Sequence, residues 1–116
     1  MNLQEFYLAI DGNMTDVMSR LLTEERVKKF VLRFKDSTTY TELADAYAKG
    51  DNDVIFAASH TLKGICLNLA FSKLAKSSSE LCEQYRGHAP EIDTAPLFAE
   101  VTADYNELMA AINELA

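Results

Sequence analysis

His60 and Lys63 stand three residues apart, and Gly64 directly follows the lysine. In a helix this spacing sets the imidazole and the ammonium one turn apart on the same side. A neutral imidazole is a nucleophile. The neighbouring cation opposes a second positive charge on the ring and offsets negative charge on an anionic group bonded to it. Gly64 costs a helix interior about 1 kcal/mol relative to alanine. Four residues beyond His60, its missing side chain clears space beside the ring for a bulky group or a partner's loop. Phe56 and Leu67 share this face and border it with apolar surface suited to transient docking. The chemistry on offer is group transfer through a histidine, at a site open to a second macromolecule.

That face exists only if the segment is helical and correctly turned. Asp51 caps a helix running to about Ala70, with Ile55, Ala58, Leu62, Ile65 and Leu69 as its inward stripe. His60 is two residues from Leu62 and projects about 160° away from it, toward the surface. The other segments also carry apolar residues every three or four positions. Leu3, Phe6 and Ile10 mark a short first helix; Met14, Val17 or Met18, and Leu21 mark a second, begun by Asn13 or Thr15. Thr23, with Glu24 and Glu25 behind it, opens a helix whose stripe is Val27, Phe30, Val31 and Phe34.

Tyr40, Leu43 and Tyr47 form a further stripe ending at Gly50, and Ser37-Thr38-Thr39 is either a break or a bend in one long helix over residues 23–49. Ser72 opens the next helix, with Leu74, Ser78, Leu81 and Tyr85 inward, ending at Gly87. Phe98, Val101, Tyr105, Leu108, Ile112 and Leu115 give the last helix the repeat that bundle packing requires. No alternating run supports a strand. The expected architecture is all-α: an antiparallel four-helix bundle with a short N-terminal helical cap, one domain over residues 1–116.

Composition narrows the function. The chain has 116 residues and a net charge of −7, which argues against nucleic acid as the main partner. It has no apolar run able to span a membrane and no secretory signal at Met1-Asn2-Leu3-Gln4-Glu5, so a cytoplasmic location is expected. Cys66 and Cys82 lie in amphipathic stretches and read as reduced core thiols. The spacing of His60, His88 and the cysteines matches no zinc pattern, and no nucleotide-binding glycine motif occurs. His88 sits in a Gly-His-Ala-Pro loop and reads as a surface residue. Residues 54–79 hold Lys63, Lys73 and Lys76 and no acid, a cationic stretch fit for an acidic partner surface. Residues 87–116 hold six acids and no Lys or Arg.

His60-Thr61-Leu62-Lys63-Gly64, followed by Asn68-Leu69 and then Leu74, resembles the His-x-Leu-Lys-Gly motif of histidine-containing phosphotransfer (HPt) domains of two-component phosphorelays. The resemblance runs upstream through Phe30 to Phe34, Leu43, Gly50-Asp51 and Ala58. Downstream it runs through Leu81, Arg86 and the final helix, covering essentially the whole chain. It implies a phosphocarrier in which His60 accepts a phosphoryl group from a receiver-domain aspartate and passes it to another receiver. Lys63 would support the phosphorylated state and Gly64 would give access, with Phe56, Leu67, Lys73 and Lys76 docking the partner. The partners implied are response-regulator receiver domains and a sensor or hybrid histidine kinase. No cofactor or metal belongs to this chain, since Mg²⁺ and the acidic pocket come with the receiver. Without an ATP site the chain is a carrier and not an enzyme, expected to be free-standing and monomeric.

Four positions depart from the family's pattern. Ala70 stands where Gly is usual, Ile65 and Cys66 where Ser or Ala is common, and Cys82 where many members carry a Glu or Gln that reaches the histidine. None removes the nucleophile. The competing readings are an HPt-like adaptor that docks receivers or kinases without transfer, and a plain structural bundle. The adaptor usually lacks the histidine; the plain bundle leaves Gly64 unexplained.

Overall fold

The computed structural model describes residues 1–115, and among them every regular element is helical. The order is α1 (Leu3–Ala9), α2 (Met14–Leu21), α3 (Glu24–Arg33), a 3₁₀ turn (Phe34–Asp36), α4 (Thr39–Lys49), α5 (Asn52–Asn68), α6 (Ser72–Glu83) and α7 (Ala95–Asn113). Side-chain caps account for several starts. Asn2 and Glu5 form a reciprocal capping box on α1, while Asn13, Thr23 and Asp51 accept from the first-turn amides of α2, α3 and α5. Asn13, and not Thr15, therefore begins α2.

Residues 23–49 form two helices. The chain tightens into the 3₁₀ turn after Arg33, and Ser37 turns extended at φ −69°, ψ 131°. There the Ser37 hydroxyl lies 3.2 Å from Thr39 Oγ1 and accepts from the Thr39 amide at 3.4 Å. Such local bonds compete with the helical ladder and end it.

The bundle is α4 to α7, with α5 packed chiefly between α4 and α6, and α6 against α7. Leu43, Ile55, Leu62, Leu74, Leu81, Val101 and Ile112 fill its core. An aromatic seam joins α4 to α7: Tyr40 stacks on Tyr105 at 4.0 Å and Tyr47 on Phe98 at 4.1 Å. Their hydroxyls hydrogen-bond Thr102 and Thr94 at 2.9 and 3.1 Å. At the other end Phe6, Tyr7, Phe34 and Phe71 pack largely edge to face, fixing the N-terminal helices to the start of α6.

Three expectations need correcting. Phe30 leaves the core stripe and is 39% exposed, because Val27, Val31 and Phe34 alone fill the inward side of α3. Ile65 is half-buried, and Cys66 takes the core position, so the inner face of α5 runs Ile55, Ala58, Ser59, Leu62, Cys66. The sixth helix stops at Glu83, with turns carrying the chain on to Gly87.

Both cysteines are free and buried, and burial pushes the Cys66 thiol up to about 12. At pH 8 its thiolate fraction is therefore on the order of 10⁻⁴. A disulfide-exchange reagent should leave the native thiols unmodified over minutes and titrate both in denaturant; rapid native labelling would contradict this packing. The Ser78 hydroxyl, buried in α6, has no hydrogen-bond partner among the described residues. Ser78→Ala is expected to stabilise the fold by about 1 kcal/mol, since it removes an unpaired polar group from the interior. Denaturant unfolding measures that directly.

Candidate functional site

The site sits on α5, and the N-terminal helices hold the C-terminal end of that helix. Carbonyls there have no partner within the helix. Arg20 of α2 supplies donors: its Nε bonds the Asn68 carbonyl at 3.1 Å, and its Nη2 bonds the Leu67 carbonyl at 2.8 Å. A bidentate pair with Asp16 at 2.8 Å orients the guanidinium, and its charge suits the negative end of the helix dipole. The Tyr7 hydroxyl donates to the Leu69 carbonyl at 2.7 Å. None of this clamp was recognisable in the motif, because it joins residues nearly fifty or more positions apart.

His60 is exposed, on the side of α5 opposite the buried Leu62. Phe56 stacks along the imidazole with centroids 6.0 Å apart and planes 18° from parallel. Arg86 lies over the same Phe56 ring, 5.2 Å from its centroid. Arg86 in turn bonds Glu83 at 2.9 Å. That bond holds the Glu83 carboxyl below the usual range, with further attraction from Lys63 and His60. Glu83 and Arg86 thus belong to the surroundings of the histidine, which the spacing on α5 alone did not reveal.

Gly64 is exposed, and a Cβ built on it meets no heavy atom within 4 Å. Close helix–helix packing is therefore not the reason for a glycine in mid-helix. Leu67 is 53% exposed on the same face. Lys63 and Leu67 line a groove of about 720 Å³ along the outside of α6, shared with Ser72, Lys76 and Glu83. Lys73 lies elsewhere: its ammonium pairs with Glu107 of α7 at 2.9 Å, so it faces the α6–α7 seam. Of the four residues expected to dock a partner, Phe56, Leu67 and Lys76 border the histidine or this groove, and Lys73 does not.

Cys82 is buried, with Sγ 3.8 Å from the Phe56 carbonyl. It carries no group able to orient the imidazole, and none of the described residues hydrogen-bonds the His60 ring. Ala70 adopts φ +56°, a conformation that glycine takes at no steric cost. His88 lies in an exposed loop with Nδ1 2.7 Å from the Ala89 carbonyl. No group of metal-ligating side chains is assembled among the described residues.

The helical bundle thus presents a histidine, a lysine and a glycine together on the outward side of α5. The chain belongs to the Hpt domain family, whose model matches residues 36–112, the stretch from the 3₁₀ turn almost to the end of α7. Membership supports a role in phosphorelays as a carrier of phosphoryl groups, in contact with receiver domains and kinases as a class. No curated protein and no solved structure gives a significant match. No helix among the described residues is long and apolar enough to cross a membrane.

Proposed function

We propose that this protein is a phosphorelay intermediate that carries a phosphoryl group on His60. The observation that supports this best is Gly64: a glycine in mid-helix, four residues from an exposed histidine, with nothing of its own chain in the space it leaves. A helix bears that cost when the space serves something outside the molecule.

In the proposed step an imidazole nitrogen of His60 attacks the phosphorus of a receiver's aspartyl phosphate in line. The P–N bond forms as the acyl P–O bond breaks, and the aspartate leaves as a carboxylate. In the return direction the imidazole leaves and a second receiver's aspartate attacks. Lys63, one turn along, offsets charge on the phosphoryl oxygens. Phe56 limits the tilt of the ring by stacking, in place of the hydrogen bond that Cys82 cannot make. Leu67 and Lys76 meet the receiver around its acidic pocket, and Mg²⁺ arrives with that pocket. The protein acts as a monomer in the cytoplasm, over a single domain, and holds no metal or cofactor.

The test is a panel of purified receiver domains, phosphorylated and mixed with the protein in the presence of Mg²⁺. Transfer of label from at least one receiver within seconds is expected. Binding without transfer across the whole panel would instead assign the adaptor role.

A further inference from the structure

We propose that α3 and the turn before it form a docking surface for a short acidic protein segment carrying an apolar anchor. The proposal does not depend on whether His60 is phosphorylated. It concerns helices that precede the matched family region, which begins at residue 36.

Three observations converge there. Five of the eleven Lys and Arg of this −7 chain (Arg26, Lys28, Lys29, Arg33, Lys35) fall within ten residues, with no acid among them. Every ion pair found among the described residues lies elsewhere, at Arg20–Asp16, Lys73–Glu107 and Arg86–Glu83. None of these five cations is in an ion pair among the described residues, and an arriving anion relieves their mutual repulsion.

The second observation is apolar exposure on α3 and in the turn before it: Phe30 is 39% exposed and Leu32 37% on the helix, and Leu22 67% in the turn. Phe30 borders a hollow of about 300 Å³ lined also by Arg20, Leu21, Ile65, Asn68 and Leu69. Arg33 stands over the Phe30 ring, 5.4 Å from its centroid.

The third is strain. Leu22 has φ 72° and ψ −34°, and the Thr23 amide bonds the Leu21 carbonyl across it at 2.9 Å. This is a γ-turn of the rare kind, which branched residues avoid. The turn ends α2 through the Leu22 amide, which bonds the Met18 carbonyl at 2.9 Å, but the leucine side chain it holds out in water adds nothing to the core.

The charge pattern limits the occupant. Glu24 and Glu25 precede the cationic run and Asp36 follows it. An extended polyanion, whether a nucleic acid or an anionic membrane, would overrun those acids and meet the rest of an acidic chain. A segment no longer than α3, about 15 Å, fits between them. Its carboxylates would meet Arg26, Lys29 and Arg33, and an apolar side chain would enter the hollow beside Phe30.

The probe is a fluorescein-labelled amphipathic peptide of about 10 residues, about 15 Å as a helix, built from Glu and Leu at helical spacing, with a Lys-for-Glu version as control. Anisotropy should report saturable binding of the acidic peptide alone, weakened at least about tenfold between about 50 and about 300 mM salt. The triple variants Arg26→Glu/Lys29→Glu/Arg33→Glu and Arg26→Gln/Lys29→Gln/Arg33→Gln should each lose about 30-fold in affinity or more. His60→Gln should bind as wild type does. Leu22→Gly should melt higher, because the turn relaxes, yet bind about fivefold more weakly. The inference is overturned by no binding, by equal binding of the basic peptide, or by unchanged affinity in folded triple variants. It is equally overturned if α3 proves to serve a dimer in sedimentation equilibrium, or binds phosphatidylserine vesicles in preference to the peptide.

Discussion

Gly64→Gln is expected to slow phosphoryl transfer about 100-fold, equivalent to about 2.7 kcal/mol of barrier, in a protein that remains folded. The companion substitution Gly64→Ala should raise the melting temperature by about 4 °C, the effect of about 1 kcal/mol of helix propensity on a chain of this size. The two results follow from one fact: beyond its chain neighbours and the nearby backbone of its own helix, nothing lies within 4 Å of a Cβ at that position. A longer side chain there costs the fold nothing, but it fills the volume beside the imidazole that an incoming phosphoryl group and receiver loop need. Were Gly64 present for internal packing, alanine would lower stability instead. Thermal melts of both variants, with stopped-flow transfer from one receiver, separate these cases.

Gly12→Ala should behave in the opposite way and destabilise the protein by about 2–3 kcal/mol, as overpacking against fixed atoms does. A Cβ there would meet the Ala70 carbonyl oxygen at 2.8 Å, Tyr7 Cδ1 at 2.8 Å and Ile10 Cδ1 at 3.3 Å. Relief is not available in the usual way. The Ala70 carbonyl accepts from the Asn13 amide at 3.2 Å, and Ala70 itself holds a left-handed conformation between α5 and α6. Tyr7 is anchored through its hydroxyl to Leu69. The melting temperature should therefore fall by roughly 10 °C, while transfer at low temperature persists. The same Gly→Ala change thus has opposite signs at two positions, one facing solvent and one wedged under the elbow of the bundle. Equal signs would contradict the packing described for one of them.

Much of this arrangement could be read in the sequence. The helical period of α5 sufficed to turn His60, Lys63 and Gly64 away from Leu62, because a helix of this length has one core-facing side. Thr23 and Asp51 announce helix starts by residue type, since a short polar side chain satisfies first-turn amides locally, whereas Asn13 and Thr15 are equal candidates by type and only the structure places the cap on Asn13.

What escaped was non-local. The pairing of Lys73 with Glu107 depends on how α6 lies against α7 and removes one of the two lysines from the expected docking set. The Arg20 clamp on Leu67 and Asn68 requires α2 to meet the end of α5, which no periodicity encodes. Phe30 fits the stripe of α3 by spacing, yet three neighbours already fill that side. Glu83 and Arg86 come to the histidine from the end of α6, through the packing of α5 on α6.

The most direct measurement is the site and chemistry of the phosphoryl group. The protein and its His60→Gln variant are each incubated with a labelled phosphoreceiver and Mg²⁺, and the label on each is then challenged with acid and with base. Label that is lost in acid, survives base and is absent from a folded His60→Gln variant is the expected result. Equal labelling of both proteins would contradict it and move the nucleophile to another residue, with His88 first in line.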